Sequence, residues 1–260
     1  MRSSIETGWL RNEVEQGSRL PVPTPTSLSA RLVFLYSVFQ ETIAMTEKIF
    51  WEHPYLTELE TYVTSVKGND ITVEKTIFFA LSGGQESDHG TIGNTRVLHA
   101  RKEGKEIIYT LENAHGIKPG DQVSMSIDWK RRYKLMRLHF AAEIVLELIY
   151  SKLGSVRKIG AHIASNKARI DFEWDEKISR LFPELNQEAR AIIAANHKIV
   201  SAFSDEQNQQ RYWQVADFAK VPCGGTHLEQ TGEVGEIELR RKNIGKGKER
   251  IEIYLSGNVD

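Results

Sequence analysis

A single cysteine, Cys223, occurs in 260 residues. That excludes an intramolecular disulfide, leaves one thiol for metal binding or chemistry, and fits a reducing compartment, so a cytoplasmic location is expected. No sign of charge dominates: the formal net charge is −1. A global polycation that binds nucleic acid indiscriminately is therefore excluded, and any such contact must come from local patches. No apolar run approaches the roughly 18 residues of a membrane-spanning helix, so no membrane partner is expected. No internal repeat is found. What remains, 40% hydrophobic and 27% charged, suffices for a substantial core and two domains.

The first 44 residues read unlike the rest. Pro21, Pro23 and Pro25 alternate with Val22, Thr24 and Thr26, and an apolar run from Arg31 to Tyr36 follows. Residues 1–44 are expected to be a disordered extension or an upstream translation artefact, with the folded protein starting at Met45. A targeting peptide fits less well, because Glu6, Glu13 and Glu15 precede the apolar run.

Residues 45–128 carry short strand-like runs at 62–66, 71–73, 96–98, 107–110 and 122–127, broken by Gly68-Asn69-Asp70, Gly116, Pro119 and Gly120. The pattern predicts a hairpin within a small antiparallel β-barrel. Asp128 is a good N-cap for a helix from Trp129 to about Lys152, stopped by Gly154. Within residues 129–260 a segment at 159–163 follows, then a second helix from the spacing of Leu185, Ala189, Ile192 and Ile193, with strands near 168–172, 212–215, 235–239 and 250–255. Strands mixed with two helices, without a βαβ rhythm, predict an α+β fold whose second domain stacks helix on sheet. Trp213 and Tyr212 read as core; His99, His115, His162 and His197 have no evident pairing.

Two pairs of polar residues carry the chemistry. His139 and Glu143 share one face of the first helix, which is otherwise apolar there, and a carboxylate in such a seam needs compensation. Cys223 and His227 flank Gly224, Gly225 and Thr226 after Pro222, a tight loop able to turn both side chains toward one point. Thiolate, two imidazoles and a carboxylate best suit Zn2+.

These two motifs, preceded by Leu81-Ser82-Gly83-Gly84-Gln85-Glu86-Ser87-Asp88-His89-Gly90-Thr91-Ile92, resemble the AlaX family, free-standing relatives of the editing domain of alanyl-tRNA synthetase. The resemblance runs from about Met45 to the C-terminus. It implies a glycine-rich barrel ahead of a zinc-binding editing domain, and hydrolysis of serine or glycine wrongly esterified to alanine tRNA. Nothing resembles the synthetase's ATP-binding half, so aminoacylation is not expected. Such editing has a physical reason: a pocket that accepts alanine rejects a ligand that merely adds a hydroxyl by only about 10²-fold. Cleaving the ester needs an oriented water and a charge for the developing oxyanion, both of which zinc can supply; if four protein ligands saturate it, the metal would instead position the substrate's amino group or hold the site together.

The family's helix usually reads His-x-x-x-His, and Glu143 departs from it. Either Glu143 coordinates through oxygen, or His139, Cys223 and His227 hold the metal while Glu143 acts as general base for the attacking water. Weakened metal retention or altered substrate choice is a third outcome. Gly83, Gly84 and Gln85 belong to a motif that lies near the editing pocket in relatives, where the Gln85 amide could hold the water or the substrate. Thr226, Ser155 and Ser165 are candidates for reading the serine hydroxyl. Two basic stretches are expected to grip tRNA phosphates: Lys130, Arg131, Arg132, Lys134 and Arg137 on the helix, and Arg240, Arg241 and Lys242, followed by Lys246, Lys248 and Arg250, near the end. The protein would act as a monomer or a homodimer. The competing readings are a deacylase for a different mischarged tRNA and a non-catalytic tRNA-binding module with structural zinc.

Overall fold

The computed structural model describes residues 45–112 and 116–256, so the expected 1–44 extension and His115 lie outside the described residues. Short β-forming runs with turn residues between them build the first part: β1 (Glu47–Lys48), β2 (Glu58–Lys67), β3 (Asp70–Val73), β4 (Lys75–Thr76), β5 (Gly90–Ile92), β6 (Thr95–Glu103), β7 (Glu106–Leu111) and β8 (Gln122–Ile127). Lys67 pairs with Asp70 across a two-residue turn, as the Gly68-Asn69 dipeptide requires. Six strands close in the order β2-β3-β7-β6-β5-β8. Alternation along β7 sends Ile107, Tyr109 and Leu111 into a core with Ile71, Val73, Phe78 and Met125.

Helix α1 (Trp129–Leu153) begins where the Asp128 carboxylate accepts the Arg131 N–H at 3.1 Å and ends at Gly154, with φ +65°. Its middle is buried nearly all round, with Leu135, Met136, Leu138, Phe140, Ile144, Val145, Leu148 and Ile149 in the second core. It packs against β10 (Ala168–Glu173) and β15 (Lys248–Leu255) of an antiparallel sheet ordered β14-β15-β10-β9, in which β9 is Arg157–Ile163 and β14 is Ile237–Gly245. Helix α2 (Phe182–Ala194) buries Leu185, Ala189 and Ile193. A separate three-stranded sheet, β11 (Val200–Asp205), β12 (Gln210–Val215) and β13 (Ala219–Pro222), completes an α+β fold.

Five strands lay outside the sequence expectation: β1, β4, β5, β11 and β13. Each is short and weakly patterned, and each is a strand because a neighbour supplies its ladder: β1 and β4 for each other, β8 for β5, and β12 for β11 and β13. The strand expected at 235–239 runs instead from Ile237 to Gly245, drawing Arg240, Arg241 and Lys242 into the ladder with β15.

Candidate metal centre

The buried face of α1 carries His139 at 5% exposure, and the loop after β13 carries Cys223 and His227. The register of β12 with β13, Tyr212 opposite Pro222, ends in a bond from the Cys223 N–H to the Arg211 carbonyl at 2.9 Å. That bond aims the loop at the helix. His139 Nε2 lies 3.2 Å from Cys223 Sγ, and His227 Nε2 lies 3.3 Å from the same sulfur. Glu143 Oε1 stands 3.6 Å from Cys223 Sγ and 3.4 Å from His139 Nε2. Donors about 2.0–2.3 Å from a tetrahedral zinc sit about 3.3–3.7 Å from one another. His139, Cys223 and His227 thus form a group able to hold a metal ion, with Glu143 beside two of its three donors.

Neighbours orient the ligands. Ser201 Oγ is 2.9 Å from His227 Nδ1, which as an N–H donor leaves the Nε2 lone pair free for a metal. His139 Nδ1 is buried without a partner among the described residues. Its ring is held instead by packing, with the His227 ring at 5.3 Å and the Gly225 backbone against it.

The glycine-rich motif arrives from the other side. Gly83 and Gly84, at φ +60° and +90°, occupy the centre of a two-residue turn closed by the Gln85 N–H donating to the Ser82 carbonyl at 3.0 Å. The Ile163 N–H donates to the Gly84 carbonyl at 2.8 Å, and the Glu86 N–H donates to the Ile163 carbonyl at 3.0 Å, so the motif borders the free edge of β9. A Cβ on Gly84 would lie 2.8 Å from the Ala161 carbonyl oxygen. Gln85, fully buried, then donates from Nε2 to Thr226 Oγ1 at 2.9 Å and accepts the Thr226 N–H at 3.4 Å. Gln85 and Thr226 thus face each other across 141 residues of sequence rather than facing solvent. A Thr226 hydroxyl at 1% exposure and bonded to Gln85 is not free to read a substrate hydroxyl. Ser165 is likewise engaged, accepting from Arg131, while Ser155 is exposed.

Burial works against a proton on His139, but the Cys223 sulfur and the Glu143 carboxylate outweigh it and raise the pKa to about 10. His227 is pushed down to about 3 by burial and then by the charge on His139. Burial also opposes the charge on Glu143, yet the bond and charge of His139 hold its carboxyl below the usual range. A metal captured here must expel the His139 proton.

The helix's basic stretch divides on inspection. Arg132 is fully buried and paired with Asp88, and Arg137, at 3% exposure, donates to the Val234 carbonyl at 3.1 and 3.0 Å. Neither can grip a phosphate, because i, i+3 and i, i+4 spacing from the core residues turns them inward. Arg131 is tied to Glu86 at 2.6 Å, Ser87 and Ser165. Lys130 and Lys134 are exposed. In the later stretch Lys242 is exposed, Arg240 pairs with Glu238, and Arg241 pairs with buried Glu249. His162, read as unpaired, lies 3.2 Å from Glu86 beside the glycine-rich turn.

Residues 213–252 match the family described as threonyl and alanyl tRNA synthetase second additional domain. Over 221 residues the chain is 34% identical to the alanyl-tRNA editing protein AlaX-M of Pyrococcus horikoshii, covering 82% of this chain and 99% of the relative. The AlaX-M of Methanosarcina mazei is 30% identical over 82% of this chain and 96% of its own length. The alanine–tRNA ligase of Methanococcus aeolicus is 31% identical over 85% of this chain, a match that spans 27% of the ligase. With two relatives at 30% identity or more spanned nearly end to end, the chain belongs to the AlaX family of alanyl-tRNA editing proteins.

Proposed function

We propose that this protein is a cytoplasmic deacylase that clears alanine tRNA charged with the wrong amino acid, serine foremost and glycine second, at a zinc site made by His139, Cys223, His227 and Glu143. The observation that carries the reading is the convergence of three donors, His139, Cys223 and His227, from two distant segments, with the Glu143 carboxylate against the first two. In the reaction water adds to the ester carbonyl, the bond to the ribose oxygen breaks, and the amino acid leaves as its carboxylate while the ribose hydroxyl regains a proton. With Glu143 off the metal, a bound zinc would supply positive charge for the developing oxyanion; with all four residues as ligands, it would position the substrate's amino group or hold the site together. Ser201 fixes the His227 ring, and the Gln85–Thr226 bonds pin the loop that carries both Cys223 and His227. Gly83 and Gly84 serve by shaping the turn that delivers Gln85. Of the two basic stretches, exposed Lys130, Lys134, Lys242, Lys246 and Lys248, with Arg240 beside Glu238, are left to meet tRNA phosphates.

The purified protein should release serine from mischarged alanine tRNA, spare the alanyl form, and stop when a chelator removes the metal. Release from neither substrate would overturn the reading, and release that ignores serine would point to another mischarged tRNA. A second role for Glu143 has one observation in its favour, the 17% exposure of its side chain. Glu143→Gln separates the roles. As a ligand, its loss should weaken zinc retention about tenfold or more; as a base, zinc stays bound and the rate falls by about 10²–10⁴. Metal analysis beside single-turnover rates distinguishes them.

A further inference from the structure

A cavity of about 440 Å³ adjoins the metal centre and shares two of its walls, His227 and Gly225. That volume is in the range of small-ligand sites. Trp51, Ser201, Phe203 and Arg211 line it as well. Arg211 is 5% exposed, and among the described residues no carboxylate stands in ion-pair contact with it, the Glu52 charge acting on it from further off. Its Nη2 donates to the Trp51 carbonyl at 2.9 Å, while its Nε is buried without a partner. Buried Arg137 also lacks a carboxylate, yet it commits both Nε and Nη2 to the Val234 carbonyl. Arg211 therefore keeps donor capacity that its surroundings do not use. The rings of Phe203 and Trp51, 4.6 and 5.4 Å from its guanidinium carbon, hold the cation in place without satisfying its N–H groups.

A buried guanidinium without a carboxylate in contact is costly, and an incoming anion offsets that cost with a charge-assisted bond. The chemistry of the substrate says which anion. An amino acid esterified to tRNA has no free carboxylate, so the negative charge nearest the ester belongs to a phosphodiester. Arg211 is also coupled to the centre by the chain itself, because its carbonyl accepts the Cys223 N–H at 2.9 Å. Glu52 and Glu229 lie exposed at the edge of the cavity, where solvent screens them.

We propose that this cavity receives the phosphodiester preceding the esterified 3′-terminal nucleotide, with Arg211 as its cationic anchor. The proposal rests on the editing reading above. Its test uses the zinc-loaded full chain and a short acceptor-stem RNA carrying serine through a stable 3′-amide, alongside the same RNA with its last phosphodiester replaced by a neutral methylphosphonate. Neutralising that one linkage should weaken wild-type binding about tenfold to a hundredfold. Arg211→Gln should start weaker by a similar factor and be indifferent to the replacement, and Arg211→Lys should recover part of the difference. A variant that loses as much as wild type on neutralisation overturns the assignment and leaves the editing reading intact. So does a wild type insensitive to the replacement, a comparison that needs no variant to fold. If neither RNA binds and mischarged tRNA is not deacylated, the editing reading fails, and this inference with it.

Discussion

Gly225→Ala is expected to abolish metal capture and slow deacylation by at least about a hundredfold, while Gly224→Ala leaves both near wild type. Neither glycine has a positive φ, so an alanine meets no backbone penalty at either place and the contrast isolates space. At Gly225 an added Cβ would lie 2.4 Å from His139 Cε1, 2.8 Å from His139 Nε2 and 3.1 Å from Gln85 Oε1. At Gly224 it would meet nothing within 4 Å. The His139 ring is the group that yields, because its Nδ1 has no bond to hold it. Rotating that ring takes one ligand out of the set. The cost therefore falls on metal affinity more than on folding, and zinc content after dialysis against a buffered metal pool measures it. Stoichiometric zinc at wild-type affinity in Gly225→Ala would contradict the site.

Asp88→Ala should destabilise the protein by about 3–5 kcal/mol, lowering Tm by roughly 6–20 °C at fixed free zinc. Asp88 sits at 2% exposure, receives Arg132 through two nitrogens, and accepts the Phe79 N–H at 2.7 Å. Arg132 also donates to the carbonyls of Pro54 at 2.8 Å and Ile77 at 2.5 Å. Removing the carboxylate leaves a guanidinium in the protein interior with no counter-charge. The pair fastens the start of α1 to the barrel segment at Ile77–Phe79, so its loss also loosens the approach of the glycine-rich motif to the centre. Replacing both partners by apolar residues of similar size should be far milder than removing one. A midpoint within a degree or two of wild type for Asp88→Ala would show that the pair holds nothing.

Much of the site was legible because it is written in local spacing. The i, i+4 interval of His139 and Glu143 fixes their common face on any α-helix. A loop with three residues, two of them glycines, between Cys223 and His227 can hardly avoid turning both side chains to one point, and their donors lie 3.3 Å apart. Asp128 and Gly154 bracket α1 by cap chemistry that depends on a few residues at each end.

Other features were hidden because their cause lies far along the chain. Ser201 is an unremarkable serine until β11 pairs with β12 and sets its hydroxyl against His227. Arg211 follows a polar run and carries no local signal of its place, because alternation along β12 turns it toward Trp51, 160 residues away in sequence. Asp88 belongs to the motif that marks the family, and its partner Arg132 was read as a phosphate contact because a basic cluster looks the same on paper whether its members are solvated or paired inside.

By itself, the sequence determined the α+β class, the limits of α1 and the three residues, His139, Cys223 and His227, that form a group able to hold a metal, since each follows from backbone period, cap residues or the donor atoms a side chain owns. Only the tertiary structure decided which cations are spent internally, which hydroxyl orients His227, and which glycine must stay a glycine. Those outcomes depend on what stands opposite a residue once the chain has closed on itself, and burial and hydrogen bonding are properties of that neighbour as much as of the residue.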